Sequence, residues 1–107
     1  MNRTDIINAI ARKIKAKSYL EIGVDNGINF ASIKCDRKVG VDPNPRMPGI
    51  HPMTSDTFFA QNDETFDLIF IDGLHIFEQV YRDIENALKV LNPNGYIICH
   101  DTNPPTK

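Results

Sequence analysis

Two rhythms of apolar residues alternate along the chain. Ile6, Ile7, Ile10 and Ile14 recur at helical spacing behind Thr4, an N-cap candidate, and predict a helix to about Lys15. Short apolar runs bounded by turn residues predict strands at Ser18 to Gly23, Lys38 to Asp42, Asp67 to Asp72 and Tyr96 to His100, since unbroken runs suit strands buried on both faces. Val24-Asp25-Asn26-Gly27 reads as a tight turn into a short helix around Asn29 to Lys34. Pro43, Pro45, Pro48 and Pro52 make the following stretch a loop, because each removes a backbone donor. A strand around Ile50 to Thr54 is expected next, then a short helix capped by Ser55 or Asp56 and running through Phe58, Phe59 and Ala60. A second long helix places Ile76, Val80, Ile84, Ala87, Leu88 and Leu91 on one face, with Glu78/Arg82 and Glu85/Lys89 as outward i,i+4 pairs. Asn92-Pro93-Asn94-Gly95 is expected to stop it, with a left-handed residue at Asn94 or Gly95.

Strands alternating with helices imply right-handed crossovers and an α/β, doubly wound parallel sheet. In such sheets ligands bind beyond the carboxyl ends of the strands. A length of 107 residues fits one domain, residues 1–107, and 41% hydrophobic with 24% charged residues is ordinary for a globular chain. No apolar stretch approaches the roughly 20 residues that span a bilayer, and the N-terminus has no secretory apolar region, so no membrane partner and a cytoplasmic location are expected. Cys35 and Cys99 have neither metal-motif spacing nor disulfide-scaffold density and read as reduced thiols. Nine of the twelve Lys and Arg fall at or before Arg46, a segment that nets +4 against -6 for the remainder. Arg12, Lys13, Lys15 and Lys17 carry much of that charge at one helix end, which reads as a solvated face rather than a nucleic-acid surface.

The candidate chemistry gathers at strand ends. Asp72 and Asp101 each follow an apolar run and stand next to or near a histidine, in Asp72-Gly73-Leu74-His75 and His100-Asp101. On neighbouring strands roughly 4.8 Å apart, the two carboxylates can share a divalent cation. Gly23 and Gly27 flank the turn after the first strand, where backbone amides can approach a ligand and a helix start suits an anionic group. Asp42 ends the next strand nineteen residues after Gly23, where an acid can accept from both hydroxyls of a ribose. A turn cap before Pro43 is the alternative role for Asp42, a helix N-cap for Asp72, and simple packing or backbone contacts for His75 and His100.

The series Tyr19-Leu-Glu-Ile-Gly-Val-Asp-Asn-Gly27, Val39-Gly-Val-Asp42, Thr54-Ser-Asp56, Phe66 to His75 and Leu91 to Asp101 resembles a class I S-adenosylmethionine-dependent methyltransferase. It is most similar to the branch of metal-dependent sugar and macrolide O-methyltransferases, whose fourth strand ends in Asp-Gly-x-His. The resemblance implies a Rossmann-like sheet in the order 3-2-1-4-5. It also implies that Glu21, Gly23 and Gly27 surround the methionine moiety, that Asp42 holds the ribose, and that Ser55 and Asp56 approach the adenine. Asp72 and Asp101 would ligate Mg²⁺ or Mn²⁺, His75 would be the general base, and His100 stands where some relatives have a further acidic ligand. The acceptor would be a small molecule or glycan bearing a hydroxyl.

Relatives of this kind are expected to add strands beyond the fifth, so the fifth strand would be an open edge. A C-terminally truncated chain or a homodimer covering that edge is the expectation. The rival readings are a catalytically incomplete module that holds the cofactor without turnover, a nicotinamide-dependent oxidoreductase, which the missing GxGxxG opposes, and a nucleic-acid methyltransferase. The last is opposed by the acidic C-terminal half and by Thr106 after Pro105, where an aromatic residue would be needed.

Overall fold

The computed structural model describes residues 2–72 and 77–100. The elements run α1 (Arg3–Ile14), β1 (Ser18–Ile22), α2 (Ile28–Ser32), β2 (Arg37–Asp42), β3 (His51–Pro52), α3 (Ser55–Gln61), β4 (Phe66–Ile71), α4 (Phe77–Lys89) and β5 (Leu91–Cys99). The five strands form one sheet in the order β3-β2-β1-β4-β5, with every pair parallel. This is the doubly wound Rossmann-like order expected from the sequence.

Alternation of side chains along the strands sends each residue set to its own layer. Tyr19, Leu68 and Phe70 face Ile7 and Ala11 of α1 and Phe30 of α2. Leu20, Ile22, Ile69 and Ile71 face Phe58 of α3 and Ala87 of α4. Burial on both faces explains why β1 and β4 are apolar almost throughout, and Glu21 is the exception that matters for the site.

The helix boundaries differ from the sequence reading for local reasons. Asn2, not Thr4, caps α1: its side chain accepts from the Asp5 amide while Asp5 answers the Asn2 amide, a reciprocal capping box. Thr54, rather than Ser55 or Asp56, caps α3 by accepting from the Thr57 amide. β5 begins at Leu91, so Asn92 to Gly95 lie within the strand, where four residues stand opposite Asp67 alone and bulge it. Asn94 takes the left-handed conformation at φ 69°. Leu88 is exposed rather than facing the core, and Arg82 turns to Asp56 instead of Glu78. Neither Glu78/Arg82 nor Glu85/Lys89 is an ion pair, and Ile76 lies outside the described residues. No helix among the described residues is long and apolar enough to cross a membrane.

Candidate functional site

Backbone bonds align the carboxyl ends of four strands. The Gly23 amide donates to Val41 O at 2.8 Å, Asp72 N to Ile22 O at 2.8 Å, and His100 N to Ile71 O at 3.0 Å. The glycine turn, Asp42, Asp72 and His100 therefore share one sheet edge. His75 and Asp101 are outside the described residues.

The turn after β1 needs left-handed backbone at Gly23 (φ 88°), Asp25 (φ 56°) and Gly27 (φ 85°). Asp42 holds it: one carboxylate oxygen accepts from Asp25 N at 2.7 Å and the other from Asn44 N at 2.8 Å. Each oxygen retains a second acceptor direction, so the cap role and a ribose contact are compatible. Gly27 starts α2, and a Cβ there would lie 2.1 Å from Met47 Sδ, so the Met47 side chain packs directly over this glycine.

Glu21 is 1% exposed and belongs to a buried polar chain. Tyr19 Oη donates to its Oε1 at 2.5 Å and Asn29 Nδ2 donates to the same oxygen at 2.8 Å. Thr4 Oγ1 in turn donates to Asn29 Oδ1 at 2.6 Å. Burial pushes the Glu21 carboxyl up to about 7, while the bonds from Tyr19 and Asn29 and the charge of Arg3 oppose that rise. Burial, together with the neighbouring Glu21, also raises the Tyr19 phenol, which stays a donor. Glu21 thus lies two residues before Gly23 on β1, and its carboxylate accepts from Tyr19 and Asn29.

Asp72 is bound by Arg3, whose Nη1 donates to Oδ2 at 2.7 Å. The Arg3 guanidinium also lies 5.8 Å from the centre of the Phe70 ring, and the exposed His100 ring stands 6.5 Å from Phe70 on the β5 side. Among the described residues no group of three or more His, Cys, Asp or Glu could hold a metal ion. With a guanidinium on its carboxylate, the described half of the expected ligand pair does not fit a divalent cation as it stands.

Ser55 and Asp56 are tied to α4. Ser55 Oγ donates to Asp83 Oδ1 at 2.6 Å, and Gln79 Nε2 bonds both Asp83 and Ser55. Arg82 grips Asp56 with two bonds of 3.0 and 3.1 Å, which holds its carboxyl below the usual range. Asp83 is 2% exposed, and burial raises its pKa. Sequence reasoning missed Arg3, Tyr19, Asn29, Gln79 and Asp83. A polar residue inside an apolar face, as Asp83 is between Val80, Ile84 and Ala87, was the one signal available.

A Rossmann-like parallel sheet with a glycine turn, Asp42 and Asp72 gathered at the carboxyl ends of its strands defines the class of protein. A family model described as Methyltransferase domain matches residues 20–102, and the chain belongs to that family. The fold is similar to N-methyltransferase NodS from Bradyrhizobium japonicum WM9, with a TM-score of 0.63 at 21% identity, covering 92% of this chain and 68% of that one. It is also similar to the O-methyltransferase TomG from Streptomyces achromogenes, solved with SAM (TM-score 0.70, 15% identity, 91% of this chain and 54% of that one). An O-methyltransferase from Bacillus cereus, solved with SAH, gives a TM-score of 0.69 at 20% identity over 91% of this chain and 55% of that one. The chain thus spans about half the length of these two O-methyltransferases. A stretch of 40 residues is 38% identical to the uncharacterised protein y4gI of Sinorhizobium fredii, 37% of this chain and 4% of that protein.

Proposed function

We propose that this chain binds S-adenosylmethionine and takes part in transferring its methyl group to a hydroxyl of a sugar or glycan. The observation that carries the reading is the Gly23–Gly27 turn latched to Asp42, which joins the carboxyl ends of β1 and β2. Asp42 has acceptor directions left for a ribose, and the turn offers close backbone approach to the methionine end.

In the reaction, the acceptor oxygen attacks the methyl carbon, the carbon–sulfur bond breaks with its pair going to sulfur, and the hydroxyl proton passes to a base. His75 is proposed as that base, since an imidazole of pKa ~6.5 accepts protons near neutrality. The protein's contribution is alignment of acceptor and methyl in line. At Asp72 the guanidinium of Arg3 stands in the place of the divalent cation expected there with Asp101. Partners are therefore the donor and a hydroxyl-bearing acceptor.

The test is calorimetric titration of S-adenosylmethionine and S-adenosylhomocysteine into the chain, followed by methyl transfer to sugar acceptors with and without Mg²⁺. Saturable binding is expected, and no binding by a folded sample would overturn the reading. A second reading, a module that holds the donor without turnover, is favoured by the coverage of about half of the two O-methyltransferases. Binding without transfer to any acceptor would support it.

A further inference from the structure

Of the five arginines in the chain, four are paired with acids: Arg3 with Asp72, Arg37 with Glu64, Arg46 with Asp25 and Arg82 with Asp56. Arg12 has no such partner among the described residues. It lines a cavity of about 250 Å³ between α1 and the segment after α2, together with Asn8, Ala11, Lys15, Ala16 and Lys34. Three cations thus border one cavity that no carboxylate lines. Like charges gathered without a counter-charge repel one another, and a bound anion would offset that cost.

The α1 dipole accounts for basic residues in its last turn, where Arg12 and Lys13 both lie. It does not account for Lys34, which comes from another element, nor for the backbone of Lys15. Lys15 closes α1 in the left-handed conformation, φ 56° and ψ 48°, at a position that favours glycine. Asp25 and Asn94, the other non-glycine residues with positive φ, are of types that tolerate it, and lysine is not. Asn8 fixes the third cation: its Nδ2 donates to Ser32 O at 3.0 Å and its Oδ1 accepts from the Lys34 amide at 2.8 Å, which holds the Lys34 backbone against α1. The last carbonyls of α1 do not oppose an anion in full, since Ala11 O accepts from the Lys15 and Ala16 amides and Arg12 O from Lys15. Asp36, two residues beyond Lys34, is exposed and outside the lining.

The cavity lies toward the amino ends of β1 and β2, which begin at Ser18 and Arg37, whereas the glycine turn and Asp42 stand at their carboxyl ends. The five residues of β1 put roughly 16 Å between the two. The cavity is therefore separate from the edge read above as the donor site.

We propose that this cavity binds the phosphoryl group of a small phosphate monoester, with Arg12, Lys15 and Lys34 around the phosphoryl oxygens and the carbon body of the ester on Ala11 and Ala16. A phosphate monoester carries close to two negative charges at neutral pH and three acceptor oxygens, which matches three cations better than a carboxylate does. Arg12 supplies a forked donor and the two lysines supply point charges. The volume falls just below the roughly 300–1,000 Å³ of drug-sized ligand pockets, which suits a small ester and not a dinucleotide.

The experiment titrates phenyl phosphate into the isotopically labelled 107-residue chain and follows the backbone amide resonances, with phenol, inorganic phosphate and a single-stranded DNA oligomer as comparison ligands. Saturable shifts centred on Ala11, Arg12, Lys15 and Lys34 are expected at millimolar phenyl phosphate, with none from phenol. Arg12→Gln and Lys34→Gln should each weaken binding about fivefold or more, as loss of a charge-assisted bond does. Lys13→Gln, which removes a neighbouring cation outside the cavity, should change it less than about twofold. Lys15→Gly separates the ligand from the fold: it relieves the left-handed backbone, so the chain should melt no lower while phenyl phosphate binds more weakly. Full binding by Lys15→Gly, equal weakening by Lys13→Gln and Arg12→Gln, or no saturable shift in a folded wild-type chain would overturn the proposal. Inorganic phosphate bound as tightly as phenyl phosphate, or the oligomer bound more tightly than either, would overturn the assignment to a small ester.

Discussion

Tyr19 and Glu21 lie two residues apart on β1, so both point to the same face, and the Tyr19 hydroxyl donates to the Glu21 carboxylate inside the core. With Asn29 on the same oxygen, a buried acid is satisfied by neutral donors instead of a contacting cation. Arg3 influences it without a bond, and the result is a carboxyl that titrates near neutrality.

Stability should therefore depend on pH through Glu21. Its pKa is about 7 in the fold against 4.5 as the ordinary value, so the native state holds the proton more tightly. The contribution is fully present below about pH 4.5 and is lost as pH rises through about 7, a span of about 3 kcal/mol by proton linkage. Asp56 and Asp67, both lowered, act in the opposite sense and lose their contributions as pH falls through their folded values. Chemical denaturation at pH 5 and pH 8 checks this: Glu21→Gln should flatten the fall, and an unchanged slope would remove Glu21 as its source.

Asp42 should couple the loop to the ligand. Asp42→Ala deprives the Asp25 and Asn44 amides of their acceptor and is expected to cost about 1–3 kcal/mol of stability. The same variant should weaken nucleoside binding, measured by titration below its melting point. Full-strength binding would confine Asp42 to the turn.

Asp83 should tie α4 to α3. Asp83→Ala leaves the buried Ser55 hydroxyl and the Gln79 amide without their shared acceptor, for a loss of about 1–3 kcal/mol. Asp83→Asn keeps one oxygen acceptor and should lose less. Denaturant midpoints of the two variants give the comparison, and equal midpoints would mean that Ser55 and Gln79 find other partners.

Gly27→Ala combines a left-handed backbone penalty of roughly 1–2 kcal/mol with displacement of the Met47 side chain. Met47→Ala in the same chain should recover only the displacement part. Thermal melting of the single and double variants separates the two, and complete recovery would mean that the backbone bears no strain.

β5 ends the sheet, and Tyr96 on it is exposed, as are Phe77, Tyr81 and Leu88 on α4. The proposed homodimer through this edge should appear as a concentration-dependent mass in light scattering. Tyr96→Lys should shift the equilibrium toward monomer, and a monomer at every concentration of the wild-type chain would end the proposal.

Local pattern determined a good part of this protein before any tertiary contact. Unbroken apolar runs identify β1, β2, β4 and much of β5 because strands covered on both faces must be apolar throughout. Glycines at 23 and 27 mark the turn because its left-handed backbone favours residues without a Cβ, and Asp42 and Asp72 fall at strand ends because the strands stop there. The start of β5 was hidden, since Asn-Pro-Asn-Gly reads as a break, and only pairing with β4 lets it bulge within a strand. Packing alone decided the charge partners: Asp72 meets Arg3 because α1 covers the face to which residues 70 and 72 both point, and Asp56 meets Arg82 because α3 and α4 share the opposite layer. A helix period tells which residues share a face, but the element that covers that face is set by the winding of the whole sheet.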